Sequence, residues 1–142
     1  MTSVDAVQRL RAAGLRVTNQ RVQVLTALDR LPHPDVDSIA GAVRDELGSV
    51  STQAVYDVLR AFDEAGLVRR IEPAGHSARF EPRVGDNHHH LICRGCGRIE
   101  DVDCAQGEAP CLHPVDAAGF VVEVAEVNYW GLCPSCATAD PR

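Results

Sequence analysis

Ser51–Glu72 reads STQAVYDVLRAFDEAGLVRRIE, and two periodicities meet inside it. Up to Ala65 the apolar residues Val55, Val58, Leu59 and Phe62 recur at helical spacing. Ser51 is placed to cap that helix and Gly66 to close it. Beyond Gly66 come "LVRRIE" and "SARFE", separated by the turn-forming "PAGH", a pattern that predicts a two-stranded hairpin.

Upstream, three more helices are expected. "VDAVQRLRAAG" spaces Val4, Val7 and Leu10 on one helix that stops at Gly14. "TNQRVQVLTALDRL" opens on a capping Thr18 and repeats Val22, Leu25 and Leu28. "HPDVDSIAGAVRDELG" offers Asp35 or Asp37 as a cap before Ile39, Val43 and Leu47, and ends at Gly48. Four helices followed directly by a hairpin is the order of a winged helix, in which one helix enters the major groove of DNA. A plain helical bundle would share the helix pattern, so the hairpin carries that expectation. The groove-facing residues of the fourth helix are then those off its apolar stripe: Thr52, Gln53, Tyr56 and Arg60. Gln pairs with adenine edges, Thr with several bases or phosphates, and Arg with guanine or phosphate.

The 142 residues suffice for one ordinary domain or two very small ones, and 45% hydrophobic with 24% charged residues marks a globular chain. The net charge of −6 is unevenly spread. Residues 1–80 hold ten Arg and ten acids, whereas residues 81–142 hold four Arg against ten acids. The neutral half can still present a basic face, so charge neither requires nor forbids nucleic acid. With no apolar leader after Met1 and no run long enough to span a membrane, a cytoplasmic location is expected. There thiols stay reduced, and clustered cysteines hold metal more often than they form disulfides.

Near "RVGD" the pattern changes, which predicts a winged-helix domain over 1–82 and a second domain over 83–142. "HHHLIC" and "GRIEDVDC" read as short strands and "APCLHPVDAAG" as a loop or helix. "FVVEVAEVNYWGLC" reads as a strand pair or one long strand. The fold class is therefore α+β, its second half a small α/β unit whose apolar edge suits a dimer interface.

Two CxxC pairs, Cys93–Cys96 and Cys133–Cys136, together make a closed tetrahedral thiolate set, which suits structural Zn²⁺. The 36 residues between them require a small folded unit in the gap. Gly95, Gly97 and Pro134 would supply the turns. Two redox dithiols are the alternative, but no strand–helix context of the thioredoxin kind is evident after either pair. On a strand, His88 and His90 share one face and His89 takes the other, so His88 and His90 form half of a second metal site. Glu81, Asp101 and, more distantly, His33 could complete it, a nitrogen and oxygen set suited to Fe²⁺, Mn²⁺ or Zn²⁺. A surface histidine cluster and a turn-forming His33 are the plainer readings. Cys104 and Cys111 could be a disulfide, a thiol switch or ordinary buried residues, the last being favoured because nothing activates either thiol. His76 and His113 read as surface residues. With no nucleophile triad, phosphate loop or nucleotide fingerprint, no enzyme is expected.

Taken together, "GLRVTNQR", "HPDVDSI", "STQAVYDVLRAFDEAGLV", "HHHLICRGCG" and "CPSC" resemble the ferric uptake regulator (Fur) family over nearly the whole chain. The resemblance implies a homodimeric repressor that binds palindromic promoter DNA when a regulatory metal is loaded. By position it places structural zinc on Cys93, Cys96, Cys133 and Cys136. It places the regulatory Fe²⁺ or Mn²⁺ on His33, Glu81, His88, His90 and Asp101. Arg16 would reach the minor groove and Tyr56 would pack on bases. Asp57 stands where the family often has Arg, which implies a divergent operator. A further family metal site falls on Asn87, His89, Glu108 and Ala125, of which only two can ligate, so that site is expected to be lost or weak. "DNHHH", "AVYD", Cys104 and Cys111 resemble a branch that represses catalase-peroxidase genes, and Asp101 occurs in peroxide sensors. Release on peroxide oxidation is therefore the leading expectation. Iron homeostasis is the alternative, and a zinc or thiol redox protein without DNA function is a further one.

Overall fold

Side chains that the sequence supplies as caps start three of the four N-terminal helices. Thr18 accepts from the Arg21 amide at 3.1 Å, Asp35 from Ser38 at 2.8 Å and Ser51 from Ala54 at 3.0 Å. Each such cap is worth about 1 kcal/mol. Of the two acids before the third helix, Asp35 is the cap, and Asp37 lies in the first turn, at the positive end of the helix dipole. The Ser38 amide and hydroxyl hold the Asp35 carboxyl below its ordinary range.

The computed structural model describes residues 3–73, 75–82, 89–102, 118–121 and 128–139. Two compact units divide the chain, residues 1–84 and 85–142. The first contains α1 (Ser3–Ala12), α2 (Asn19–Arg30), α3 (Val36–Leu47), α4 (Thr52–Glu64), β1 (Val68–Ile71) and β2 (Arg79–Pro82). Gly66, at φ 75, lets the chain leave α4 in the left-handed conformation that other residues adopt only at a cost. β1 and β2 pair antiparallel, with Arg69 opposite Glu81. Helices followed by this hairpin give the winged-helix order.

Leu10, Leu25, Leu28, Ile39, Leu59, Phe62 and Val68 are almost fully buried in one cluster. The stripe of α4 is buried as its spacing predicts: Val55, Val58, Leu59 and Phe62 all face the core. On α1 the expected stripe is only partly buried. Ala6 and Leu10 form the core face and Val4 is 65% exposed. At 100° per residue, Val4 lies about 140° round the helix from the midline of Ala6 and Leu10. Phe62→Ala should cost about 3–5 kcal/mol, a large part of the stability of any small domain. Urea unfolding followed by the helical signal checks this, and a loss below about 1 kcal/mol would contradict the burial.

The second unit holds β3 (His89–Cys93), β4 (Ile99–Val102), β5 (Asn128–Gly131) and α5 (Pro134–Ala139). Its sheet has the order β4-β3-β5, with β3 antiparallel to β4 and parallel to β5. As the central strand, β3 buries His89, His90, Ile92 and Cys93 and exposes Leu91. Only the Asn128–Gly131 part of "FVVEVAEVNYWGLC" is a described strand. Phe120 and Val121 are exposed outside it, and residues 122–127 lie outside the described residues.

Candidate metal centres and the DNA-facing helix

The parallel pairing of β3 with β5 explains how cysteines forty residues apart meet. Cys93 lies opposite Gly131 in the register, so both strands end on the same side, and Leu132 and Cys133 follow directly. After Cys93 the chain turns back through Gly97, at φ 80, whose amide donates to the Cys93 carbonyl at 2.9 Å. Cys96 lies in that turn, and the four sulfurs are within 4.8 Å of one another. Gly95 leaves room for them, since a Cβ there would lie 3.1 Å from the Cys136 sulfur.

The strand–helix context absent from the sequence pattern is present at the second pair. Pro134 does not form a tight turn but opens α5, immediately after Cys133. Proline suits the first turn of a helix because its missing N–H would be unbonded there anyway. A lone CxxC at such a junction could be a redox dithiol, yet the two pairs converge on one point. Cys96 Sγ and Cys133 Sγ are 3.8 Å apart, far longer than a disulfide bond. A tetrahedron with Zn–S arms of about 2.3 Å has edges of about 3.8 Å, so the donor set fits zinc.

Electrostatics favour the same occupant. The amides of Cys133 and Cys96 donate to Cys93 Sγ at 3.3 and 3.5 Å and bring its thiol down to about 5. The Cys136 amide lowers Cys133. Cys136 is pushed up to about 12 by Cys133 and the other two sulfurs around it. Four thiolates cannot share this volume without a cation, and a divalent ion removes the conflict.

The other expected ligands stand as two pairs, one in each unit. In the helical unit, the Phe80 amide donates to the Pro34 carbonyl at 2.9 Å and Arg79 Nη1 to the His33 carbonyl at 3.2 Å. These bonds pin β2 to the loop before α3, so Glu81 Oε2 comes within 3.1 Å of His33 Nε2. The other Glu81 oxygen is 3.6 Å from Arg69 Nη1, its cross-strand neighbour. His33 has φ 46 and precedes Pro34, a strained conformation for a residue with a Cβ. In the sheet unit, His90 and Asp101 are register partners, and His90 Nε2 is 3.4 Å from Asp101 Oδ1. His89, next along β3, is also buried. His88, Asn87, Cys104, Glu108, Cys111, His113 and Ala125 lie outside the described residues.

On α4, Gln53, Tyr56 and Arg60 are exposed, whereas Thr52 is half-buried. The Thr52 hydroxyl accepts from Arg44 Nη2 at 3.0 Å, and Arg44 Nε donates to the Val50 carbonyl at 2.9 Å. Arg44 thus ties the turn before α4 to α3, a role that no spacing pattern signals. Arg16 is exposed, and its carbonyl accepts from Arg21 at 2.8 Å.

The ferric uptake regulator family matches residues 12–129. The chain belongs to that family. Among its relatives, the transcriptional regulator FurA of Mycobacterium tuberculosis is 59% identical over 99% of this chain and 96% of its own length. Ferric uptake regulation protein 1 of Mycolicibacterium fortuitum is 54% identical, over 89% of this chain and 79% of that protein. The peroxide operon regulator of Bacillus subtilis is 33% identical over 93% and 91%. The ferric uptake regulator of Helicobacter pylori superposes with a TM-score of 0.74 at 21% identity, covering 96% of this chain and 94% of that one, and so shares the fold. This Fur-family chain is a metal-dependent transcriptional regulator, not an enzyme. Structural zinc and a regulatory metal go with this family, and the four cysteines offer the donor set that would hold the zinc. Among the described residues, no helix is long and apolar enough to cross a membrane.

Proposed function

We propose that this chain is a homodimeric cytoplasmic repressor, released from palindromic promoter DNA when hydrogen peroxide oxidises its iron-loaded form. Catalase and other oxidative-stress genes are its targets in this reading. The observation that carries it is the pairing of a histidine with a carboxylate in each unit, the half-buried His33 with Glu81 and the buried His90 with Asp101. Together with His88, these residues would hold one Fe²⁺ or Mn²⁺, for which a mixed nitrogen and oxygen donor set is suited. Ligands drawn from both units would fix the relation between the DNA-binding and dimerisation domains, which is how a ligand selects one state of a two-state protein. Bound Fe²⁺ would supply the electrons for peroxide activation, and the imidazoles that would hold it are the side chains proposed to receive the oxygen.

For the dimer, support comes from Leu91, Tyr129 and Trp130. These half-exposed side chains of β3 and β5 line an apolar hollow of about 360 Å³. For DNA binding, it comes from the exposed polar face of α4 together with Arg16.

Mass spectrometry of the iron-loaded protein after peroxide should find an added oxygen on His33, His88 or His90, or a disulfide between Cys104 and Cys111, with DNA released. A second reading, regulation by iron level, is favoured by the ferric-uptake name of the Mycolicibacterium relative. It wins if peroxide leaves the protein unmodified and only chelation frees the DNA.

A further inference from the structure

We propose that Asp57 sets DNA sequence specificity by joining Gln53 and Arg60 into one base-reading unit, an inference that rests on the repressor reading above. The three residues lie at i, i+4 and i+7 on α4, spacing that aligns them along one face. Asp57 Oδ1 accepts from Gln53 Nε2 at 3.0 Å and from Arg60 Nη2 at 2.9 Å. Beside them a hollow of about 380 Å³ opens toward the hairpin, lined also by Tyr56, Asp63 and Arg70.

Two donors on one carboxylate oxygen constrain each partner. The Gln53 amide can turn only its nitrogen toward a carboxylate, so Oε1 and the second N–H hydrogen are left for a partner beyond the helix. That acceptor and donor pair is the one that reads adenine. Arg60 spends one of its five N–H donors on Asp57 and keeps the rest for a guanine edge. Its charge is balanced by Asp57, so the unit adds little to the sequence-independent attraction of phosphates. The second Asp57 oxygen repels phosphate and accepts from the amino group of cytosine. Each consequence moves contacts from the DNA backbone, which carries no sequence information, to base edges, which do.

The test uses the full-length Mn²⁺-loaded protein and selection from a random-sequence DNA duplex library. Kd is then measured on the wild-type-selected duplex and on a scrambled duplex, across a salt series, for wild type, Asp57→Ala, Glu64→Gln and the double variant of Asp57→Ala with Arg60→Ala. Asp57→Ala should bind the scrambled duplex more tightly and the selected one more weakly, reducing the ratio of the two Kd values by about tenfold. The salt slope on scrambled DNA should steepen by about one, as the freed Arg60 takes a phosphate. That steepening should vanish in the double variant. Glu64→Gln removes the same charge at the far end of α4 and should leave ratio and slope as in wild type.

An Asp57→Ala protein with the wild-type motif, ratio and slope overturns the role of Asp57 and leaves the repressor reading standing. Equal shifts in Asp57→Ala and Glu64→Gln reduce the effect to net charge and overturn it as well. A wild-type protein that enriches no motif overturns the repressor reading and this inference with it. Asp57 is half-exposed, and circular dichroism with a Mn²⁺ titration verifies that every variant is folded and loaded.

Discussion

Cys93→Ser should strip the structural zinc and unfold the sheet unit while the helical unit keeps its secondary structure. Cys93 ends the central strand, is almost fully buried, and accepts amide hydrogens from both Cys96 and Cys133. Its sulfur therefore contributes to the clamp and also organises both turns that carry it. Structural zinc contributes roughly 10–16 kcal/mol of apparent binding energy in zinc-finger peptides. That matches or exceeds the total stability of about 5–15 kcal/mol typical of a domain. Among the described residues of this unit, the three-stranded sheet and α5 have little else to rely on, since α5 buries no residue and β5 is exposed along its described length. Acid should have the same effect on wild type. A thiol whose folded value is depressed to about 5 from 9.0 contributes stability that is full above about pH 9 and is lost as pH falls through about 5. Zinc release, read with a metal-sensitive dye, should then increase as the pH is lowered. A serine variant that retains zinc and melts as wild type does would rule out the clamp.

Local rules made much of this molecule legible. Thr18, Asp35 and Ser51 are caps because a short polar side chain before an apolar helical stripe has few other uses. The hairpin follows from two β-like runs around a turn, and the CxxC pairs carry their chemistry in their spacing. What was hidden depends on contacts between distant segments. Nothing in "CPSC" says that its strand runs parallel to β3, yet that pairing brings Cys133 to Cys93. Likewise, His33 looks like a turn residue until the Phe80 and Arg79 bonds draw β2 against its loop and place Glu81 beside it. A single arginine has no periodicity, so nothing in the sequence around Arg44 or Arg69 marks its role. The sequence shows Asp57 only as an acid in a family position that often holds Arg, and the fold adds its hydrogen bonds to Gln53 and Arg60.

His90→Ala should abolish Mn²⁺-dependent DNA binding and leave zinc, dimer and fold in place. The imidazole is buried beside Asp101 on the central strand, three residues from Cys93, but its partner lies on β4 and not in the thiolate cluster. Losing a proposed ligand should weaken Mn²⁺ by at least the roughly 10–100-fold that follows loss of an outer-shell partner. His33 allows a sharper version of the test, because its backbone carries strain. At φ 46 a Cβ is costly and glycine is not, so His33→Gly should be more stable than His33→Ala by about 1 kcal/mol, the reverse of the usual order. Both variants lack the imidazole, so the comparison isolates the backbone. Both should also lose the metal response, as His90→Ala does. Backbone strain clusters at ligand sites, which fits His33 as a proposed ligand. Should the His33 variants respond to Mn²⁺ as wild type does, or should His90→Ala lose its zinc, the division into a structural and a regulatory site fails.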